Sequence, residues 1–480
     1  MKTLFYQTYY MTPHLETCLE LIRLEQEQKS EIRVITCDGA LETCTQNKEH
    51  DPKVCARCVR KTRKGLSLVR EKSINLRGGP GVRHKLPSGI RTTDQLLEYR
   101  DGYYRVGLGV CDFNDYEVDV AANSDLIEKR INVYYLVASF FERLIDEERP
   151  DKVVFFNERF PEQRPLFDIC VARGIPFEIH ERGANKDTYQ LYENSSCHDL
   201  EYFKKDIARQ WRENPLDEAT KKKIAERWYT DRFKRVEQSW ISFTSRQTED
   251  KLPENFSRSH KNIAIFNSTI GEYLSSPDMR NPLYRNEIEA LEDLILHCKG
   301  LQNTRIYLRM HPNLRNAMES RQVADTIKLR RYENLTIIPP DSEVSTYSLL
   351  SNSDKAVVFG STIGAESCYW GKPCILVGRA FYEDLNTCYV PRNREQFYAY
   401  LDTDLDPKPK DGAYVYAFWE STRGEKYRYY TARTLFKGTF DGVRLNAYED
   451  EFVTRNRRRL LSAIKRPLRS IINRDKRRRP

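Results

Sequence analysis

Short apolar segments of strand length alternate with amphipathic segments of helix length along most of this chain of 480 residues. In the first half, strand patterns at 3–6, 32–37, 153–157 and 176–180 are separated by helix patterns, the longest of which runs through 127–145. A strand, a helix and a second strand joined by short connections form a right-handed parallel unit. The first half therefore predicts an α/β domain built on a parallel sheet.

The second half of the chain repeats this alternation. Strand patterns lie at 262–266, 305–309, 335–338, 355–359 and 374–377, and helix patterns lie around 283–298, at 345–351 and at 363–370. Alternating strands and helices predict a second parallel sheet. We expect an N-terminal domain at 1–240 and a second domain at 241–405.

The remaining segments have other patterns. Residues 37–120 are irregular and cysteine-rich, and we expect an insertion in the first domain. Residues 185–240 predict a helical connector, and residues 406–454 predict aromatic helices, without strand alternation, that cross both domains. No run approaches the roughly 18 apolar residues of a membrane-spanning helix, and the N-terminus lacks a secretory signal. The expected location is the cytoplasm.

The basic charge of the chain is concentrated at its C-terminus. Residues 455–480 hold twelve Lys or Arg and one Asp, so this tail has a charge of +11. The whole chain has a net charge of +9, so the other 454 residues together have a charge of −2. Apolar residues interrupt the tail at helical spacings, and such segments bind anionic membrane surfaces. A solvated disordered tail, peripheral contact with the inner face of the membrane, and nucleic-acid binding stay open, with nucleic acid least favoured.

Four of the twelve cysteines form a cluster with the spacing C-x6-C-x10-C-x2-C. They are Cys37, Cys44, Cys55 and Cys58. A C-x2-C pair holds a tetrahedral ion from a single turn, and two further thiols complete its shell. A structural Zn²⁺ site, an iron–sulfur cluster and free thiols lining a pocket are the alternatives. The other eight cysteines are expected in the core.

Polar side chains follow most of the predicted strands, at the edge where ligands bind in open α/β sheets. In the first domain these residues include Glu158, Glu181 and Arg182, and in the second they include Ser268. Two such edges facing each other across a cleft predict a site for a large polar ligand.

The segment 359–378 has the sharpest motif. Gly360 permits a tight turn, and Ser361 and Thr362 begin the next helix, where free N–H groups and the positive dipole end attract a phosphate. Glu366 lies one turn further, within reach of ribose hydroxyls. An ordinary N-cap and a solvated Glu are the alternative.

A second motif places His311 before a proline at the end of a strand. Its imidazole would donate a hydrogen bond to a diphosphate or sugar-phosphate oxygen, and Arg309 would reinforce that contact. The alternative is that His311 is only a turn residue.

Three motifs together resemble the donor-binding half of GT-B glycosyltransferases, and most of all the capsule polysaccharide biosynthesis proteins. They are RMHPN at 309–313, PPDSEVSTYSLLSNSD at 339–354 and GSTIGAESCYWGKP at 360–373. Bacterial Kdo- and sialyl-type transferases are more distant. The resemblance implies an α/β fold with two Rossmann-like parallel-sheet domains facing across a cleft, here with a Cys-rich insertion and a basic tail.

The resemblance also implies roles for individual residues. In the relatives a His-Pro motif and a later Ser-Thr pair hold the nucleotide phosphate, which implies His311, Ser361 and Thr362. An acidic-acidic-Gly motif supplies the general base, which implies Glu181, although Arg182 replaces the second acidic residue. The further acceptor-side candidates are Glu158 and His14.

The predicted function is transfer of a sugar from a nucleotide sugar to a saccharide or lipid-linked saccharide in capsule or related polysaccharide biosynthesis. Fixed donors would stabilise the departing phosphate without a catalytic metal, and inversion is expected. The alternatives are a nucleotide-sugar epimerase or hydrolase of the same fold, and a non-catalytic scaffold that binds membrane or nucleic acid through its tail.

Overall fold

A computed structural model describes residues 1–76, 83–99, 115–271 and 277–445. Within these ranges the chain forms two α/β units, each built around its own sheet, which confirms the predicted fold class. The basic tail predicted at 455–480 lies outside the described residues. No helix in the described ranges is both long enough and apolar enough to cross a membrane.

The strands are named in chain order. They are β1 (Lys2–Gln7), β2 (Glu31–Thr36), β3 (Ser73–Asn75), β4 (Lys152–Phe156), β5 (Phe177–Arg182), β6 (Thr188–Glu193), β7 (Lys261–Phe266), β8 (Thr304–Arg309), β9 (Leu335–Ile338), β10 (Lys355–Val358), β11 (Cys374–Leu376), β12 (Glu425–Lys426), β13 (Tyr430–Thr434) and β14 (Lys437–Phe440).

The α-helices are named in the same way. They are α1 (His14–Glu27), α2 (Pro52–Leu68), α3 (Thr93–Tyr99), α4 (Ser124–Glu148), α5 (Arg164–Arg173), α6 (Leu200–Glu213), α7 (Glu218–Phe233), α8 (Glu287–Lys299), α9 (Arg321–Lys328), α10 (Thr346–Asn352), α11 (Ile363–Tyr369), α12 (Arg394–Asp402) and α13 (Asp411–Thr422).

The first sheet has the strand order β12-β6-β5-β4-β1-β2-β3. The five strands from β5 to β3 are parallel, as the sequence predicts, whereas β6 and β12 are antiparallel to their neighbours. The central strands β1 and β4 are almost fully buried, including Leu4 and Phe155, and the second half of β2 is buried from Val34 onward. The carboxyl ends of β5, β4 and β1 therefore lie side by side along one edge.

The second sheet has the order β11-β10-β7-β8-β9, and all of its strands are parallel. Phe266 at the end of β7 is level with Val358 on one neighbour and with Arg309 on the other. Because the carboxyl ends of these three strands are aligned, the loops that follow them meet at one edge of the sheet.

The C-terminal segment differs from the expectation of helices alone. After α13 the chain adds β12 to the edge of the first sheet and then forms the hairpin β13–β14. Tyr430 and Phe440 of this hairpin are buried against α1, where they contact the cluster around Leu15 and Leu19. The prediction of a segment without strands was wrong because these strands are short and are ordered by packing on a distant helix.

Helix α13 lies in an apolar layer that contacts both sheets. One continuous cluster includes Phe155 of the first sheet, Val358 of the second, and Phe418 and Trp419 of α13. The indole N–H of Trp419 donates to Asp206 of α6 at 2.7 Å. The segment therefore contributes to the core of both units.

The Cys-rich insertion is more regular than expected. It contains the 17-residue helix α2, whose Gly65 faces Leu19 of α1, and β3, which extends the first sheet. Its last described part contacts the second unit, since Asp115 accepts hydrogen bonds from the backbone N–H groups of Arg321 and Gln322 at the start of α9. The predicted irregular structure was therefore wrong for 52–68.

Candidate active site

A cavity of about 280 Å³ lies at the carboxyl ends of β7, β8 and β10. Residues that follow these strands form one wall, and residues 236–244, where the predicted connector meets the second domain, form another. The level register brings Ser268, His311 and Ser361, which the sequence placed on three separate strands, to a single cavity. We call it the donor-side cavity.

The His311 ring in this cavity is held in one tautomer. Its Nδ1 accepts a hydrogen bond from the backbone N–H of Asn313 at 3.2 Å, and the backbone N–H of His311 donates to Asn267 Oδ1 at 2.6 Å. Burial, with Arg309 and Arg232 nearby, lowers the pKa of the imidazole to about 4, so the ring is neutral near pH 7. Because Nδ1 accepts, the ring proton lies on Nε2, and the ring is a donor there.

Ser268 presents a buried hydroxyl in the same wall. Its Oγ has no hydrogen-bond partner among the described residues, although the residue is only 3% exposed. Its backbone is fixed, since the N–H donates to Glu287 at 3.1 Å and the carbonyl accepts from Gln322 at 2.7 Å. A buried hydroxyl without a partner costs free energy, which a polar ligand in the cavity would recover.

The loop after β10 has the predicted turn. Gly360 has a φ of +137°, a region that side chains with a Cβ rarely adopt. Ser361 and Thr362 line the cavity as expected. The helix that follows, α11, has only seven residues, and Ser361 Oγ accepts the N–H of Ile363 at 3.3 Å. Ser361 Oγ therefore caps the first turn of a helix that is too short to have a large dipole.

Glu366 is fully buried and is bonded by protein groups. Its Oε1 accepts from Arg232 Nε at 3.0 Å and from Thr362 Oγ1 at 2.9 Å, and its Oε2 accepts from the Tyr347 hydroxyl. Protein groups therefore bond both oxygens of the carboxylate, whereas the sequence predicted that Glu366 would bind ribose hydroxyls.

Arg232, in the last turn of α7, is a cavity residue that the sequence analysis missed. Its NH2 donates to Thr362 Oγ1 at 2.8 Å, and 33% of its side chain is exposed. The Glu366 carboxylate raises the pKa of this guanidinium despite burial, so its positive charge is fixed. Arg232 and Glu366 are 134 residues apart, and no sequence signal joins them.

Arg309 lines the cavity but uses its guanidinium elsewhere. NH2 donates to the carbonyl of Ser342 at 3.2 Å and NH1 to that of Pro339. Burial lowers the pKa of Arg309 to about 10. Arg309 therefore anchors the loop 339–342 behind the cavity.

The carboxyl edge of the first sheet brings His14 and Glu181 together. His14 Nδ1 lies 3.5 Å from Glu181 Oε1, and neither atom has a hydrogen-bond partner among the described residues. Burial raises the pKa of Glu181, and burial together with Arg182 lowers the pKa of His14. The Glu181 side chain is 23% exposed, although its Oε1 is buried.

Arg182 is held in a structural position. Its NH1 donates to the carbonyl of Leu435 at 2.8 Å and its NH2 to that of Thr12 at 3.2 Å. The guanidinium also packs between Trp240, at 5.1 Å, and Phe436, at 5.0 Å. Trp240 lines the donor-side cavity as well. Arg182 therefore connects the two edges of the site.

Glu158 follows β4 and is bonded to a loop after β6. Its carboxylate accepts from the Ser196 hydroxyl and from the backbone N–H of Cys197 at 3.3 Å. Burial raises the pKa of Glu158, but the contacts with His198, Ser196 and Cys197 outweigh burial and place it at about 2. A carboxylate this acidic is poorly suited to be a general base.

The four clustered cysteines line a separate cavity of about 40 Å³ between β1, β2 and α2. Cys55 Sγ accepts a hydrogen bond from Asn47 at 3.2 Å, and burial raises the pKa of Cys58 to about 12. No three of these sulfurs lie within 4.8 Å of one another in the described structure. The thiols share a pocket, and a metal would draw them closer.

Comparison with known proteins supports the resemblance stated from the motifs. Residues 289–385 match the family described as capsule polysaccharide biosynthesis protein, which confirms that resemblance for about a fifth of the chain. The matched segment runs from α8 past β11 and contains His311, Ser361, Thr362 and Glu366. No curated protein matches the chain.

Solved structures show only low similarity. The beta Kdo 2,4 transferase KpsC of Thermosulfurimonas dismutans is 13% identical, with a TM-score of 0.35 over 56% of this chain and 79% of that one. The UDP-GlcNAc 2-epimerase of Neisseria meningitidis, bound to UDP-GlcNAc, is 11% identical, with a TM-score of 0.26 over 86% of this chain and 97% of that one.

Proposed function

We propose that this protein is a glycosyltransferase that moves a sugar from a nucleotide sugar to a saccharide acceptor in the synthesis of a surface polysaccharide. The observation that carries the proposal is the pairing of two sites. A cavity with fixed hydrogen-bond donors lies at the edge of the second sheet, and a partly exposed glutamate with a raised pKa lies at the edge of the first.

The donor-side cavity suits a nucleotide diphosphate or monophosphate. Nε2 of His311, the Ser268 hydroxyl and the Arg232 guanidinium all belong to residues that line it. Negative charge builds on the phosphate as the glycosidic bond breaks, and donors fixed in advance stabilise that charge without reorganising. Arg232 supplies the positive charge, so the protein's own groups account for departure of the nucleotide.

The acceptor side suits removal of a proton from a sugar hydroxyl. Glu181 is the proposed general base, because its raised pKa makes it more basic than an exposed carboxylate and its Oε1 has no competing donor. His14, 3.5 Å away, stays neutral because its pKa is lowered, so the proton would remain on Glu181. A base opposite the departing phosphate leads to a single displacement, hence the proposed inversion.

Three further proposals rest on the sequence. The basic tail would attach the enzyme to the inner face of the membrane, where lipid-linked acceptors are found, and nucleic acid is the least favoured partner. The four clustered cysteines would hold a structural Zn²⁺, with an iron–sulfur cluster as the alternative. The sugar-transfer step would need no catalytic metal.

A ligand panel and a transfer assay test the proposal. Incubation with CMP, UDP, GDP and CDP should give a thermal shift with one of them, since occupancy at 100 times Kd stabilises by about 2.7 kcal/mol. The corresponding nucleotide sugar should then release nucleotide only when a saccharide acceptor is present. Release or isomerisation of the sugar without acceptor would favour the epimerase or hydrolase, and no nucleotide binding would reject the proposal.

A further inference from the structure

A cluster of three metal-ligating side chains lies beside the acceptor edge. Glu158, Cys197 and His198 bring one carboxylate oxygen, one sulfur and one ring nitrogen within 4.8 Å of one another, and no other three such residues do so in the described ranges. Cys197 Sγ is 3.0 Å from His198 Nδ1, and His198 Nδ1 is 3.9 Å from Glu158 Oε1.

We propose that these three residues bind one divalent transition-metal ion, with Zn²⁺ the best match. Zn²⁺ takes thiolate, imidazole and carboxylate ligands, and this set contains one of each. Mg²⁺ and Ca²⁺ prefer oxygen ligands alone, which the cysteine sulfur does not match. Binding forms metal–sulfur, metal–nitrogen and metal–oxygen bonds and releases the thiol proton of Cys197 to solvent.

Two of the three distances between ligand atoms are close to those of a tetrahedral site. With bond lengths of about 2.3 Å to sulfur and about 2.0–2.1 Å to nitrogen and oxygen, a tetrahedral ion would separate sulfur from nitrogen by about 3.5 Å and nitrogen from oxygen by about 3.4 Å. The present distances are 3.0 Å and 3.9 Å, so each changes by about 0.5 Å. Rotation of the side chains of Cys197 and His198 would supply that change.

The surroundings already support such a shell. The Ser196 hydroxyl and the Cys197 backbone N–H hold the Glu158 carboxylate, as groups behind metal ligands commonly do. The side chain of Glu158 is 2% exposed and that of His198 is 22% exposed, so access is from the His198 side. Three protein ligands leave a fourth position for water.

The proposed metal site lies beside Glu181, the proposed general base. Asn157, next to Glu158 in the chain, has its Nδ2 3.5 Å from Glu181 Oε2. A bound ion would pin the loop after β6 to the end of β4, beside the proposed base. The metal proposal rests on the three ligands themselves and stands whether or not the glycosyltransferase proposal holds.

Metal content of the full chain tests the inference. Purified protein is dialysed against Zn²⁺ and then metal-free buffer, and bound metal is counted in wild type, Cys197→Ser and His198→Asn. Each variant should bind one equivalent less than wild type, whatever the four-cysteine pocket holds. Cys170→Ser, a buried cysteine on α5 outside this cluster, is the matched control and should bind as wild type does.

A spectroscopic measurement on wild type covers the case in which a variant does not fold. Co²⁺ loading should give a thiolate-to-cobalt band, and X-ray absorption of the zinc form should show nitrogen or oxygen as well as sulfur in the metal shell. Equal metal content in wild type and in folded Cys197→Ser would overturn the inference. A shell of sulfur alone, or no bound metal, would do the same.

Discussion

Replacement of His311 by alanine removes the imidazole donor of the donor-side cavity and leaves the acceptor side unchanged. The Nε2–H group is lost, and so is the acceptor of the Asn313 N–H at 3.2 Å. Loss of one donor aimed at developing charge costs about 2.7–4 kcal/mol, so kcat should fall by about 10²–10³-fold. Because the interaction strengthens as the phosphate departs, kcat/KM should fall in parallel.

The cost to stability is expected to be smaller than the cost to rate. His311 loses one backbone hydrogen bond and an edge contact with Phe243 at 5.1 Å, which together amount to about 1–2 kcal/mol. The variant should stay folded, as circular dichroism and thermal melting would show.

Initial rates of acceptor-dependent nucleotide release measure the effect. His260→Ala is the matched control, because His260 immediately precedes β7 at the opposite edge of the same sheet. It should retain wild-type kcat. A folded His311→Ala protein with wild-type kcat would refute the role of the His311 ring. An equal loss of kcat in His260→Ala would show that reduced stability, and not the missing donor, lowers the rate.

Four other results are expected. Glu181→Gln should abolish transfer. In wild type, kcat/KM should fall with decreasing pH through a pKa above the usual 4.5, since burial raises the pKa of the base. If Glu181→Gln kept activity with the same fall at low pH, another group would be the base. Glu366→Gln should weaken nucleotide binding about tenfold in calorimetry by releasing Arg232, an effect on the order of 1.4 kcal/mol for loss of a charged partner; unchanged affinity would contradict this positioning. Cys55→Ser should lower bound metal by one equivalent and reduce the melting temperature, and unchanged values for both would discard the cysteine site. Truncation before Arg455 should reduce vesicle binding and transfer to a membrane-bound acceptor but spare a soluble analogue; equal losses on both acceptors would assign the tail to the site itself.

The sequence predicts the parallel strands well. β9 begins and ends at the predicted residues, and the ends of β7 and β8 also agree. β7 and β8 are buried along most of their length, so they read as largely apolar runs between turn residues. β6 and β12 were missed because they run antiparallel and contain polar residues, and β12, which lies at the edge of the sheet, has only two residues. Their pairing depends on the rest of the fold.

Individual residues of the donor-side cavity were predictable from the sequence, because His311, Ser268 and Ser361 each follow an apolar strand. The register of the sheet then brings these three residues together. Contacts between distant segments give no such signal. The bond between Arg232 and Glu366 joins helices of different units, and the cluster of Glu158 with Cys197 joins loops 39 residues apart.

The apolar layer around α13 constrains how the cleft opens. Phe203 of α6 stacks on Phe381 at 4.0 Å and meets Trp419 edge-on at 5.5 Å, and Tyr229 of α7 donates to the carbonyl of Ala413 at 2.8 Å. A wide hinge rotation would break these contacts and expose large aromatic surfaces to water. Small sliding displacements of packed helices would keep them. The two halves of the cleft are therefore expected to approach a substrate by shear, with the aromatic rings remaining in contact throughout.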